Sequence, residues 1–164
     1  MQRLAWDDTY MAMCAILRRR SPDPSTKHGC IFVDENNRLI SLGYNGSPQK
    51  CNDEELPWDK RPDKYFYVIH SEPNAILNSD NVKRLKDATC YVTGWPCHEC
   101  IKLMMQVGVK RILYGPVSSK CCDQQDEMIT RNILKYYPDV QIEKYPHKIS
   151  NILTESAQDI SNYE

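Results

Sequence analysis

His70, Glu72, Cys97 and Cys100 are the residues whose types and spacing can do chemistry in this chain. One imidazole and two thiols are donors that zinc favours. The run Cys97-His98-Glu99-Cys100 sets the thiols three positions apart, which places both on one face of a helix. Three ligands are one short of a tetrahedron: structural zinc sites are closed by four protein groups, whereas catalytic ones keep a position for water. A water in that position becomes hydroxide-like near neutral pH. Glu72, two residues beyond His70, can take the water's proton and return it to a leaving group, provided it is not itself a ligand.

Both motifs need elements that aim them. Residues 71 to about 78 read as a helix, with Pro73 tolerated because its missing N–H falls in the first turn. Positions two apart do not share a helix face, so His70 belongs at the junction and Glu72 just inside it. Pro96 leads into a second helix over 97–107, and the positive end of its dipole favours thiolates at Cys97 and Cys100. Inside that motif, His98 and Glu99 point elsewhere and are read as exposed or contacting a neighbour. Around these lie a first helix, capped by Asp7 or Asp8 and running to about Arg20, and a hairpin of strands 29–33 and 38–44. A polar, irregular stretch follows over 49–64. Strand 89–93, strand 111–114, helix 126–137 and strand 140–144 complete the pattern, with a tail over 150–164 that is helical or loose. Strand and helix alternate after the hairpin. The predicted fold is therefore α/β, three layers (α/β/α) around a mixed five-stranded sheet, antiparallel in the N-terminal hairpin and parallel in the remaining strands.

The 164 residues fit one domain over 1–164, long enough to bury roughly 70% of the surface of the unfolded chain. With 41% hydrophobic and 26% charged residues the composition is that of a soluble globular protein. A net charge of -1 lacks the basic excess that tracks a phosphate polymer, so nucleic acid is not expected as a partner. The apolar run 11–17 is too short for a membrane span and has its charges reversed for a signal peptide, so the expected location is cytoplasmic, with no membrane partner. Eight cysteines at irregular spacings fit a reducing compartment, two of them on metal. The other six, Cys14, Cys30, Cys51, Cys90, Cys121 and Cys122, are read as buried or incidental thiols, the adjacent pair Cys121-Cys122 being the one to watch for a second metal or oxidation.

The H-x-E and P-C-x-x-C pair matches the signature of zinc deaminases that act on nucleobases. With Asp23-Pro24-Ser25, Gly43-Tyr44-Asn45-Gly46-Ser47-Pro48, Leu56-Pro57-Trp58, Tyr67-Val68 and Asn74-Ala75-Ile76, the chain resembles the zinc-dependent cytidine deaminase-like superfamily, and within it the deoxycytidylate (dCMP) deaminases, from about Asp8 to Tyr145. That resemblance implies a cytidine deaminase-like fold, one catalytic Zn²⁺ on His70, Cys97 and Cys100, and Glu72 as proton shuttle. It implies hydrolysis at C4 of the cytosine ring of dCMP, with Glu72 protonating N3 and ammonia leaving to give dUMP, feeding dTTP synthesis. Asn45, with Gly46, is implied in substrate or effector binding. A homo-oligomer, often a hexamer, is implied too, with dCTP as activator or further substrate and dTTP as inhibitor, each with Mg²⁺. Ser25 and Lys27, together with Arg20 and Lys50, are the phosphate candidates among the polar loops. The chain departs from the family at Ser71 and Pro73, where Ala and a larger apolar residue are commoner. Two other readings are a deaminase of a base in tRNA or single-stranded nucleic acid, which the charge disfavours, and a zinc-stabilised nucleotide-binding module without turnover. The latter has no use for Glu72.

Overall fold

Alternation of side chains along the inner strands sets the architecture. The structure, a computed structural model, describes residues 3–119 and 121–161. Strands β1 (Gly29–Val33), β2 (Leu39–Tyr44), β3 (Thr89–Val92), β4 (Arg111–Tyr114) and β5 (Gln141–Lys144) form one sheet in the order β2-β1-β3-β4-β5. β1 is antiparallel to β2 and β3, while β3, β4 and β5 run parallel, as the sequence predicts. β1 is buried along its whole length because it lies inside the sheet. Its Cys30 and Phe32 face one core with Cys90, Val92 and Ile112, covered by helices α2 (Ser71–Leu77), α3 (His98–Gln106) and α4 (Gln124–Leu134). Ile31 and Val33 face the other with Tyr91 and Leu113, covered by α1 (Trp6–Leu17) and α5 (Ile149–Ser161). The period of two thus builds the three layers. The hairpin turn closes through Asp34, whose Oδ1 accepts the N–H groups of Asn36 and Arg38 at 2.9 Å each. Asn37 takes the left-handed conformation there (φ 58°), which asparagine tolerates better than most residues.

Several boundaries differ from expectation. The cap of α1 is Ala5, which offers no side-chain acceptor. Asp7 and Asp8 instead sit in the first turn and reach across the fold. Asp7 takes two hydrogen bonds of 2.8 Å from Arg111 and one of 2.7 Å from the Tyr91 hydroxyl. Asp8 accepts from Tyr145 at 2.5 Å. α1 stops at Leu17, and Arg18–Arg20 form a 3₁₀ turn. α4 starts earlier than predicted because Asp123 caps it, accepting the Asp126 N–H at 2.8 Å, and it ends at Leu134. The stretch 49–64 contains one short 3₁₀ turn, Asp53–Glu55, and leads into another, Asp63–Phe66. The tail is helical through Ser161 and packs Ile152 into the α1 core; residues 162–164 lie outside the described residues. All eight cysteines are free thiols. Among the described residues no helix is long and apolar enough to cross a membrane.

The packing of α2 on β2 aims the His70 motif. A Cβ at Gly43 would lie 2.4 Å from the Ala75 nitrogen and 2.6 Å from the Ser71 carbonyl oxygen, both backbone atoms that cannot swing aside. Asn74 and Asn78, one turn apart, then tie the helix to the strand by donating to the Tyr44 and Leu42 carbonyls at 2.7 and 3.0 Å. Gly43→Ala is expected to lower unfolding stability by about 2–3 kcal/mol, read as a drop in the urea midpoint with an unchanged slope.

Candidate metal centre and active site

Two helix N-termini meet above the sheet. His70 is the N-cap of α2 and Cys97 the N-cap of α3, each in extended conformation, and Cys100 lies in the first turn of α3. Upstream of His70 the chain is held by a two-way bridge: Gly46 N–H donates to the Ile69 carbonyl at 3.0 Å and Ile69 N–H to Gly46 at 2.8 Å. The His70 Nδ1 lies 3.3 Å from the Cys97 sulfur and 3.4 Å from that of Cys100, and the two sulfurs are 3.4 Å apart. A tetrahedral zinc with bonds of about 2.0–2.3 Å would separate its ligand atoms by about 3.5–3.8 Å, so the donor set fits the ion within a few tenths of an ångström. His70, Cys97 and Cys100 are the group able to hold a metal among the described residues.

Electrostatics point the same way. The Cys100 thiol, followed by the His70 imidazole, pulls the Cys97 proton affinity down to about 6, while the hydrogen bond to Cys97 and then burial push Cys100 up. Cys121 and then Cys97 push His70 up to about 11. Glu72, 5% exposed, lies in the first turn of α2, and its Oε2 accepts the Ser71 hydroxyl at 2.8 Å. Ser71, a departure from the family pattern, thereby orients the carboxylate. Pro73 occupies the first turn of α2 without breaking it.

Glu72, His70, Cys97 and Asn45 line one cavity of about 480 Å³ including its open mouth, with Cys100 buried behind it. The family model for the cytidine and deoxycytidylate deaminase zinc-binding region matches residues 4–116. The chain belongs to this family. A Drosophila melanogaster protein named probable deoxycytidylate deaminase is 40% identical over 141 residues, covering 80% of this chain and 68% of that one. The deoxycytidylate deaminase of Mus musculus is 36% identical over 155 residues, covering 92% and 85%. In fold, the chain is similar to the dCMP deaminase of cyanophage S-TIM5, solved with dCMP and dUMP, at a TM-score of 0.65 and 22% identity, covering 88% of this chain and all of that one. Family membership and the donor set together support Zn²⁺ at this cluster.

Other residues singled out in the sequence are dispersed. The Asn45 amide is largely engaged: Oδ1 accepts the His28 N–H at 2.6 Å and Nδ2 donates to the Thr26 carbonyl at 2.9 Å. Gly46 faces a neighbouring cleft with Arg20 and Lys50. The Lys27 ammonium donates to the Ser21 carbonyl. The Ser25 hydroxyl accepts from Lys64 at 2.7 Å and Arg61 at 3.0 Å. His98 bonds Asp126 of α4, and its Nε2 is 3.1 Å from the exposed Glu99, so both contact neighbours as expected. The Cys121 and Cys122 sulfurs are 3.9 Å apart, and Cys121 lines the cavity without joining the three-donor cluster.

The sequence reading missed the buried pair beneath the cavity. Lys64 Nζ lies 2.9 Å from Asp23 Oδ2, with both side chains 3% exposed. Asp23 Oδ1 also accepts the Ser25 and Thr26 N–H groups at 2.8 and 3.2 Å. Burial alone would raise the Asp23 carboxyl; Lys64 and these N–H groups outweigh it and hold it below the usual carboxylate range. The pair's contribution is therefore complete above about pH 4 and is lost only as pH falls through the lower folded-state value. Lys64→Met leaves the carboxylate unpaired and raises its proton affinity. That variant is expected to be about 3 kcal/mol less stable at pH 7, with the gap to wild type narrowing toward pH 4 in denaturant titrations.

Proposed function

We propose that this chain hydrolyses dCMP to dUMP and ammonia, as a single deaminase unit with one catalytic Zn²⁺ on His70, Cys97 and Cys100. The observation that carries this reading is a buried carboxylate, Glu72, lining the same cavity as a three-donor cluster that leaves a tetrahedron one ligand short. When bound, the ion supplies Lewis acidity that makes a water nucleophilic near neutral pH. The protein's own part is proton movement and positioning. Glu72, fixed by Ser71, accepts a proton from that water, delivers it to N3 of the ring, and serves again as the amine leaves C4. The cavity wall brings the ring edge to the carboxylate and restricts bulk water.

The names of the Drosophila and mouse relatives support a deoxycytidine monophosphate as substrate. The net charge of -1 favours a small nucleotide over a phosphate polymer. The polar cleft holding Arg20, Gly46 and Lys50 supports a nucleoside triphosphate effector, dCTP or dTTP with Mg²⁺. Self-association, with a hexamer as the favoured state, is supported by the apolar hollow among Met13, Ile16 and Leu42 on the outer faces of α1 and β2. The cytoplasm, where such nucleotides and free thiols coexist, is the proposed location.

Glu72→Gln is expected to keep the fold and one zinc per chain while lowering ammonia release from dCMP by at least a hundredfold; turnover near the wild-type rate would remove Glu72 from the proton path. Cys97→Ala is expected to lose the metal itself, measured as zinc per chain by atomic absorption. A cytosine-containing oligonucleotide should be neither deaminated nor bound with steep salt dependence.

A further inference from the structure

His28 belongs to none of the zinc motifs, yet its imidazole lines the cavity with Glu72 and His70. Its Nε2 is buried and has no hydrogen-bond partner among the described residues. Leaving a buried polar group unpaired is unfavourable, so one retained at a site calls for a partner that arrives with the ligand. Its protonation state follows from the other side of the ring. Thr93 Oγ1, on a residue 1% exposed, accepts the Gly29 N–H at 3.2 Å and lies 3.0 Å from His28 Nδ1. No other acceptor for the Thr93 hydroxyl proton is present among the described residues. The hydroxyl therefore donates to Nδ1, and the proton of the neutral ring resides on Nε2. Burial, which pushes the His28 imidazole below its ordinary value, keeps it neutral. Position is equally constrained. A Cβ on Gly94 would come 2.8 Å from His28 Cε1, so the ring lies close against the Gly94 backbone.

The result is a fixed N–H donor at the depth of Glu72 and His70, with which His28 lines one cavity. That depth suits the pyrimidine ring rather than the phosphate at the nucleotide's far end. With C4 and N3 engaged in the reaction, the polar atom left on that side of the ring is the carbonyl oxygen at position 2, which can only accept. Of the other donors lining the cavity, Lys64 is engaged by Asp23 and Ser25 and one Asn45 N–H by Thr26, while the Trp95 indole N–H, like His28 Nε2, has no partner among the described residues. We propose that His28 is a substrate-contacting, specificity-determining residue whose Nε2–H donates to the ring carbonyl oxygen at position 2. This rests on the pyrimidine nucleotide reading above.

Binding of the product and its 2-thio analogue tests it without requiring turnover. Dissociation constants of dUMP and 2-thio-dUMP are measured by calorimetry on zinc-loaded wild type, His28→Val, His28→Leu and His28→Gln. For wild type, replacing the oxygen by the poorly accepting sulfur should weaken binding roughly tenfold. In His28→Val and His28→Leu the same replacement should make almost no difference, and dUMP itself should bind roughly tenfold more weakly than to wild type. His28→Gln, which retains an N–H donor, should recover part of the oxygen preference. A merely structural role would weaken both ligands alike and leave the preference intact, which overturns the proposal. Two apolar variants are used so that one folded, zinc-loaded protein suffices. If wild type binds neither nucleotide and releases no ammonia from dCMP, the pyrimidine nucleotide reading fails and this proposal with it; turnover with an unchanged oxygen preference in the variants rejects His28 alone.

Discussion

Bringing a nitrogen and two sulfurs to within 4.8 Å of one another is the constraint on which the rest of this structure depends. The donors come from two short helices whose N-caps are 27 positions apart, so neither helix alone determines the cluster. Strand β3 lies between them in sequence and inside the sheet. Each helix is seated on that sheet by different means. α2 lies against Gly43, where backbone meets backbone, and is tied by Asn74 and Asn78. α3 buries Ile101 and Met104 in the core beneath it and is joined to α4 through His98 and Asp126. A displacement of about 1 Å in either helix would spoil a tetrahedral site.

Charge is arranged around the same place in layers. Nearest the donors, Cys121 and then Cys97 push the His70 imidazole up. Farther out, Lys64 and Asp23 neutralise each other inside the protein and fix the 23–26 turn that, through Asn45 and His28, leads into β1. A buried ion pair adds little net stability compared with an apolar core, but its directional bonds specify one arrangement of the loop. Here that loop forms part of the cavity wall.

The wall carries chemistry of its own at residues outside the zinc motifs. Ser71 places a hydroxyl against the Glu72 carboxylate, and His28 places an imidazole in the same cavity lining. Trp95, between the edge of Tyr114 at 5.0 Å and the Arg131 guanidinium at 4.7 Å, keeps an indole N–H buried without a partner among the described residues. Unpaired donors of this kind cluster where a ligand is to be received, and their identities tune which ligand is preferred more than whether the reaction occurs.

Local patterns made the fold and the metal donors legible in advance. The β-rich runs over residues 29–33 and 111–114, the hairpin joining 29–33 to 38–44, and the spacing of His70, Glu72, Cys97 and Cys100 are properties of short stretches, because strand propensity, turn conformation and the first turn of a helix are set by neighbouring residues. The first helix shows where that logic ends. Asp7 and Asp8 read as caps, yet they bond Arg111, Tyr91 and Tyr145, partners more than 80 residues away. The same holds for Lys64, which in sequence is one more charge in a polar stretch and in the fold is buried on Asp23, and for His28, whose neighbours give no hint of Thr93 or Glu72. Sequence by itself determined the elements and the reactive residue types, since those depend on local sterics and valence; tertiary structure alone decided which polar groups are buried together, because that depends on distances across the sheet that no local pattern encodes.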